Sequence, residues 1–107
     1  MNLGLASSTN VEYLVPMNQR DQKQADVVIY TKDPCPYCVR AINFMNARGI
    51  VFKEIDLTDQ QDEIDRIKNE TGWRTVPIIL INNECIGGYD DLKALDEEGK
   101  LNKILYK

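Results

Sequence analysis

Four short apolar runs in the chain have the composition of buried β-strands. They are rich in β-branched and aromatic side chains and lie at residues 27–30, 50–55, 77–81 and 84–86. Only Asn82 and Asn83 separate the last two runs, and an Asn pair favours a tight hairpin turn. The pattern therefore predicts four strands, of which the last two form a hairpin.

The segments between these runs carry apolar residues at the three- and four-residue spacing of amphipathic helices. The predicted helices cover residues 39–48, about 58–72, a segment from Asp90 and Asp91 onward, and 101–106. Gly49 is the kind of residue that closes the first helix. Thr58, followed three residues later by Gln61, predicts a capping box at the start of the second.

The predicted order of elements is β-α-β-α-β-β-α, with one further short helix at the end. Two βα units followed by a hairpin and a helix build an α/β sandwich of three layers, with a mixed four-stranded sheet between helices on both faces. We expect this domain to span residues 26–107. Residues 1–25 mix Asn, Gln, Ser and Thr with little periodicity, and we interpret them as an N-terminal extension.

Composition and charge narrow the classes of function. A chain of 107 residues with a formal net charge of −4 fits one small domain and lacks the concentrated basic face that nucleic acid binding requires. It has no run of about 18 apolar residues, the length that spans a membrane. Its N-terminus has neither the basic start nor the apolar stretch of a secretory signal. We therefore expect a cytoplasmic protein with no nucleic acid or membrane partner.

The segment TKDPCPYC places Cys35 and Cys38 between a predicted strand and a predicted helix. A metal site, a structural disulfide and a redox-active dithiol all use this spacing. The sequence has three cysteines and no histidine, so a closed zinc site would need a carboxylate ligand. A disulfide that closes so small a loop stabilises a fold little and does not persist in reducing cytosol. The pattern favours the dithiol over these two alternatives.

Cys35 lies where the strand gives way to the helix, with Pro36 at the first helical position. The unpaired amides of Tyr37 and Cys38 and the positive end of the helix dipole face its sulfur, and Lys32 lies just upstream. These groups favour the thiolate, so we expect the pKa of Cys35 to lie well below the ordinary value of about 8.5. Cys38 lies one turn further into the helix, where we expect it to be less exposed.

Two further segments present backbone groups suited to a peptide ligand. A cis bond between Val76 and Pro77 would turn the N–H and C=O of Val76 outward, where an extended substrate pairs with them as an added strand. Gly88 precedes a helix whose first amides bind an anion such as a carboxylate, and the adjacent Asp90 can pair with an ammonium group. The alternatives are a proline that marks a sheet edge and plain helix capping.

Together these segments resemble a glutaredoxin of the dithiol class. The resemblance rests on TKDPCPYC, RTVP (74–77) and GGYDD (87–91), which occur in this order and at matching spacing. It covers about residues 26–107. It implies a thioredoxin-like fold and a thiol–disulfide oxidoreductase with glutathione as co-substrate, no tightly bound cofactor and no metal. Its partners would be glutathione and disulfide-bearing or glutathionylated proteins, and the chain would act as a monomer.

The resemblance also implies roles for individual residues. Cys35 would be the nucleophile, and Cys38 would resolve the mixed disulfide, a step that free glutathione also performs. A glutathione site would be lined by Lys32, Tyr37, Arg74, Thr75, Val76, Pro77, Gly88, Tyr89, Asp90 and Asp91. Within it, Arg74 would lie near the glycyl carboxylate, the segment 75–77 would present its backbone with the proline cis, and 88–91 would hold the γ-glutamyl end.

Two residues depart from the family pattern, and two other functions remain as alternatives. Trp73 stands where a smaller or polar residue is expected, and we interpret it as a packing residue at the sheet rim. Cys85 is additional to the active pair and is expected to be a small buried hydrophobe. The alternatives are an iron–sulfur carrier that bridges a [2Fe–2S] cluster through Cys35 and glutathione, and a thioredoxin-like hydrogen donor. Pro36 and Cys38 argue against the carrier, because they stiffen the loop and compete for the ligand sulfur.

Overall fold

The computed structural model describes residues 24–106 of the chain. Its strands and helices, in chain order, are β1 (Val27–Thr31), α1 (Pro36–Ala47), β2 (Lys53–Asp56), α2 (Gln61–Thr71), β3 (Ile78–Ile81), β4 (Glu84–Gly87), α3 (Tyr89–Glu97) and α4 (Leu101–Leu105). This is the order that the sequence predicts, including the short final helix. None of these helices is long and apolar enough to cross a membrane.

The strands form one mixed sheet of four strands in the order β2-β1-β3-β4. Strand β1 runs parallel to β2, with Tyr30 opposite Ile55, and antiparallel to β3. Strands β3 and β4 form the predicted hairpin. Asn82 and Asn83 turn it with φ angles of 51° and 68°, the left-handed conformations that a two-residue hairpin turn requires and that Asn tolerates.

Two hydrophobic clusters lie on opposite faces of the sheet. The larger one joins the sheet to α1, α3 and α4 and has as its most buried side chains Ile29, Ala41, Met45, Ile79, Leu92 and Leu105. The smaller one joins the other face to α2 through Leu57, Ile64, Ile67 and Ile78. Neighbouring residues of β3 thus enter different clusters, as alternation along a strand demands. The three-layer thioredoxin-like sandwich that the sequence predicts is confirmed.

The predicted strand at residues 50–55 was wrong at its beginning, since β2 starts only at Lys53. The amide of Ile50 donates to the carbonyl of Met45 at 3.0 Å, which completes the end of α1. Both backbone groups of Val51 pair with the side-chain amide of Gln24, at 2.7 and 2.8 Å. Ile50 and Val51 therefore find hydrogen bonds outside the sheet, although the composition of this segment suits a strand.

Gln24 and Ala25 belong to the predicted extension, and both contact the domain. The amide of Ala25 donates to the carbonyl of Leu105 at 2.8 Å, which ties the start of the described chain to α4. The rest of the predicted extension lies outside the described residues. The predicted boundary between residues 25 and 26 stays a prediction.

The predicted capping box of α2 was also wrong. The helix begins at Gln61, and the residue before it makes no side-chain capping bond. The hydroxyl of Thr58 instead donates to the carboxylate of Asp56 at 2.5 Å and accepts the amide of Asp33 at 2.9 Å. The carboxylate of Asp56 is only two residues away along the chain. The Thr58 hydroxyl therefore bonds to this nearby carboxylate and does not cap helix α2. Thr58 consequently ties the loop before α1 to the loop before α2.

This contact predicts an acid-sensitive contribution to stability. Hydrogen bonds from the side chain and the backbone of Thr58 hold the pKa of Asp56 below its ordinary value of 3.8. A lowered pKa in the folded protein stabilises it at pH values above 3.8, and this contribution is lost as the pH falls through the lower value. We therefore expect Thr58→Val to lower the urea midpoint at pH 7, with a difference from wild type that shrinks towards pH 3.

Thr58→Ser is the matched control, because serine retains the hydroxyl that bonds to Asp56. Urea unfolding of the three proteins at several pH values measures the effect. A deficit of Thr58→Val that is the same at pH 3 and pH 7 would show that the Asp56 carboxylate is not its source.

Candidate active site

Cys35 is the last residue before helix α1, and its sulfur receives a hydrogen bond from that helix. Its backbone is extended (φ −153°, ψ 95°), and Pro36 follows as the first helical residue. The amide of Cys38 donates to the Cys35 sulfur at 3.1 Å. Amides at the start of a helix have no partner within the helix, and here one of them favours negative charge on the sulfur.

Cys35 and Cys38 are joined by a disulfide, with their Cα atoms 5.2 Å apart. Cys38 is buried, with 4% of its surface exposed, whereas Cys35 is half-buried. This is the order of exposure that the sequence predicts. Cys35 is thus the cysteine that an incoming thiol or disulfide can reach, while Cys38, to which it is bonded, is shielded from solvent.

The side chain of Lys32 is directed to helix α2. Its Nζ donates to Oε1 of Gln61 at 3.4 Å, and Nε2 of Gln61 in turn donates to Asp65 at 2.9 Å. The expected contribution of Lys32 to the charge at Cys35 therefore stays a prediction. The donor that the structure places at the sulfur is the amide of Cys38.

The loop before strand β3 faces the disulfide. The carbonyl oxygen of Val76 lies 3.8 Å from the sulfur of Cys35, and the Val76–Pro77 peptide bond is cis. A second cis bond, Asp33–Pro34, lies within the TKDPCPYC segment and was not predicted. The backbone of Val76 is therefore next to the accessible sulfur, where an extended substrate would pass.

A cleft of about 290 Å³ adjoins this loop and the start of α3. It is lined by Tyr37, Trp73, Thr75, Val76, Pro77, Gly88, Tyr89, Asp90 and Asp91. Most of the predicted ligand-binding residues are thus brought together from three separate segments of the chain. Arg74 does not line this cleft. It lines a different, polar cleft together with Lys68 and Asp65.

Aromatic contacts join the CPYC segment to α3. The ring of Tyr37 lies 6.4 Å from that of Tyr89, which in turn meets Phe44 edge to face at 6.2 Å. The guanidinium of Arg40 lies 4.9 Å from the centre of the Tyr37 ring. These contacts hold the half-exposed ring of Tyr37 in position at one side of the cleft.

The start of α3 has one of its amides already engaged. The amide of Gly88 donates to the carboxylate of Asp91 at 3.0 Å, which is the helix capping that the sequence left as an alternative. The amides of Tyr89 and Asp90 lie in the first helical turn and have no acceptor within the helix. Asp90 is exposed, so its carboxylate is accessible to a cation at the mouth of the cleft.

The sequence analysis did not predict that Trp73 lines the cleft, and its prediction for Cys85 is correct only in part. Trp73 packs against the α2-side cluster, as a rim residue would, but it also lines the cleft. Its position directly before RTVP was the available signal. Cys85 packs against the same cluster and is a half-buried free thiol, which is more exposed than predicted.

These parts together can carry out thiol–disulfide exchange. The accessible sulfur of Cys35 is held at the positive end of a helix, and the buried sulfur of Cys38 is placed to displace whatever group Cys35 has bound. The adjacent cleft offers backbone groups at Val76 and amides at the start of α3. A peptide that carries a disulfide would find polar partners on both sides of the reacting sulfur.

Comparison with known proteins gives a consistent result. The family model described as Glutaredoxin matches residues 27–86. Glutaredoxin 3 of Escherichia coli strain K12 is 41% identical over 81 residues, which cover 76% of this chain and 98% of the relative. Glutaredoxin-C6 of Oryza sativa subsp. japonica is 45% identical over 84 residues, covering 76% of this chain and 75% of the relative.

Solved structures agree in fold. The solution structure of glutaredoxin from Brucella melitensis superposes with a TM-score of 0.70 at 38% identity, covering 80% of this chain and 94% of the other. A crystal structure of a buckwheat glutaredoxin–glutathione complex superposes with a TM-score of 0.66 at 32% identity, covering 74% of each chain.

Proposed function

The chain belongs to the glutaredoxin family, and we propose that it is a glutathione-dependent oxidoreductase that reduces protein disulfides and glutathione mixed disulfides. Thiol–disulfide exchange in general follows from the family and from the Cys35–Cys38 pair. The glutathione dependence is the proposed part. One observation carries it: the accessible sulfur lies 3.8 Å from the carbonyl of Val76, and Val76 lines a peptide-sized cleft that ends at a helix N-terminus.

The proposed reaction begins when the Cys35 thiolate attacks a glutathionylated protein at the glutathione sulfur. A bond forms between Cys35 and glutathione, and the protein sulfur leaves as a thiolate, which takes a proton from water. A second glutathione thiolate then attacks the glutathione sulfur bound to Cys35, which releases oxidised glutathione and restores the Cys35 thiolate. Over the cycle one free glutathione is consumed, and the mixed disulfide is converted to a protein thiol and oxidised glutathione.

Protein disulfides follow a second branch that requires Cys38. The Cys35 thiolate attacks one sulfur of the substrate, and the mixed disulfide that results is attacked at Cys35 by the Cys38 thiolate. The substrate leaves as a dithiol, and the Cys35–Cys38 disulfide of the structure is formed. Two glutathiones reduce it again in two exchange steps. The burial of Cys38 suits this role, because it shields the resolving thiol from outside disulfides.

We propose the following orientation of glutathione in the cleft. The backbone of Val76 pairs with the cysteinyl residue as an added strand, and the amides of Tyr89 and Asp90 receive the carboxylate of the γ-glutamyl residue. The carboxylate of Asp90 pairs with its ammonium group. Arg74 lies between two residues that line the cleft, Trp73 and Thr75, and its long side chain is proposed to reach the glycyl carboxylate from outside the lining.

Lys32 and Tyr37 complete the proposed site on the side of helix α1. The Tyr37 ring lines the cleft, and the ammonium of Lys32 is a second candidate partner for the glycyl carboxylate. Both cysteines and the residues that line the cleft come from one chain. The proposed site therefore needs no second subunit, and we propose that the enzyme acts as a monomer. We place its activity in the cytosol, where the glutathione pool that it would use is kept reduced.

A coupled assay tests this function. We expect the purified protein to reduce a small glutathione mixed disulfide when glutathione, glutathione reductase and NADPH are supplied, at a rate proportional to protein concentration. Supplying thioredoxin reductase in place of glutathione and its reductase is the matched control and should give little turnover. Turnover with thioredoxin reductase alone would contradict the proposal and favour a thioredoxin-like hydrogen donor.

A further inference from the structure

The indole nitrogen of Trp73 is a buried donor that has no partner within residues 24–106. Its Nε1 atom has almost no accessible surface, and no acceptor within hydrogen-bonding distance lies among the described residues. Buried polar atoms in folded proteins are nearly always hydrogen-bonded, and an unpaired one costs free energy. An exception in a wall of a binding cleft therefore indicates a donor that is reserved for a ligand.

The indole edge that carries this N–H faces the start of helix α3. A Cβ atom placed on Gly88 would lie 3.6 Å from Nε1 and 3.9 Å from Cζ2 of Trp73, and 3.4 Å from the carbonyl oxygen of Pro77. The nitrogen is thus located between the loop before β3 and the helix N-terminus, beside the one residue of the helix start that has no side chain.

The end of helix α2 fixes the position of Trp73. Gly72 ends the helix in a left-handed conformation with φ of 75°. The amide of Trp73 then donates to the hydroxyl of Thr71 at 3.1 Å, and that hydroxyl donates to the carbonyl of Ile67 at 2.8 Å. The indole also packs against the α2-side cluster. The backbone of Trp73 is therefore held in place before a ligand arrives, so that only the indole ring has to adjust on binding.

We infer that Trp73 is a specificity-determining residue of the cleft, whose indole N–H donates to the carboxylate of the γ-glutamyl residue beside Gly88. This inference rests on the proposed function. The γ-glutamyl carboxylate can accept more hydrogen bonds than the amides of Tyr89 and Asp90 supply, and the amide of Gly88 is already used by Asp91. Trp73 would supply a further hydrogen bond at the same place, and hydrogen bonds to charged groups are stronger than those between neutral groups.

Binding must move the indole slightly. Because Nε1 has almost no accessible surface, a ligand oxygen can reach it only when the indole edge separates from Gly88. Trp73 is the single tryptophan of the chain. We therefore expect its fluorescence to change when the wild-type protein is saturated with S-methylglutathione, a thioether that cannot undergo exchange.

A pair of ligands and an isosteric side chain test the inference. The first ligand is S-methylglutathione, and the second is its analogue with 4-aminobutyryl in place of the γ-glutamyl residue, which retains the ammonium group and lacks the carboxylate. The variant carries benzothienylalanine at position 73, where sulfur replaces the indole N–H within the same ring shape. Tyr106→Phe, an aromatic change outside the cleft, is the control. Calorimetry measures the affinity of each protein for both ligands.

We expect the benzothienylalanine protein to bind S-methylglutathione about tenfold more weakly than wild type, which corresponds to loss of one hydrogen bond to a charged group. Its affinity for the analogue should equal that of wild type. Each ligand is an internal control for the other, since a damaged fold would weaken the binding of both. Trp73→Phe, which also lacks the N–H, should show the same selective loss.

The outcomes separate the inference from the function on which it rests. Equal affinity of wild type and the isosteric variant for S-methylglutathione would overturn the role of Trp73, while the coupled assay still supports the enzyme. Equal losses for both ligands would also overturn it, because the carboxylate would then not be the partner. A wild-type protein that neither binds S-methylglutathione nor turns over with glutathione would overturn the proposed function itself.

Discussion

Cys35→Ser should abolish disulfide exchange, lowering turnover with every disulfide substrate at least about 10³-fold. A serine hydroxyl stays protonated at neutral pH, so the helix start has no anion to stabilise and no nucleophile to present. Cys38→Ser should behave differently. It should lose the reduction of protein disulfides but retain most of the reduction of glutathione mixed disulfides, because free glutathione can resolve that intermediate.

Cys85→Ser is the matched control for these two variants. It removes the remaining thiol, which is half-buried and free, and it should leave both activities near the wild-type level. The measurement is the coupled assay with a glutathione mixed disulfide and, separately, with a protein disulfide. Equal loss of both activities in Cys35→Ser and Cys38→Ser would contradict the separate roles of an attacking and a resolving sulfur.

Gly87→Ala should destabilise the fold by roughly 3 kcal/mol and weaken ligand binding at the start of α3. Gly87 has φ of 113°, a backbone conformation that residues other than glycine rarely adopt. An added Cβ would also lie 2.5 Å from Oδ2 of Asp91, the oxygen that accepts the amide of Gly88. The substitution therefore strains the backbone and displaces the group that caps the helix.

Gly99→Ala separates these two causes. Gly99 also has a positive φ, of 74°, but no atom lies within 4 Å of the position of its Cβ. We expect it to lose only about 1 kcal/mol, the cost of a left-handed residue, and to bind S-methylglutathione like wild type. Chemical denaturation and calorimetry measure the two effects. If both alanine variants lost equal stability, the contact with Asp91 would contribute nothing.

The order of the elements and the reactive pair could be predicted because both depend on short-range patterns. Alternation and helical spacing identify strands and helices within a few residues, and Asn82 and Asn83 meet the local requirement of a hairpin turn. Cys35 before Pro36 at a strand–helix junction is likewise a local signal. The structure confirms the fold that these signals predict.

The parts that failed depend on partners distant in the chain. Val51 leaves the predicted strand because its backbone groups pair with Gln24, and Thr58 leaves its predicted cap in part because it supports Asp33. Neither partner is visible in a window of ten or fifteen residues. Arg74 lines another cleft, and its contact with the glycyl carboxylate stays a prediction.

The bond between Gln24 and Val51 has a consequence for self-association. Strand β2 forms one border of the sheet, and an open border is a template on which a second molecule can add a strand and begin to aggregate. The side-chain amide of Gln24 occupies both backbone groups of Val51, just before the strand begins. Exposed charges at Lys53, Glu54 and Asp56 follow, so an incoming chain would have to break two hydrogen bonds and then bury charge.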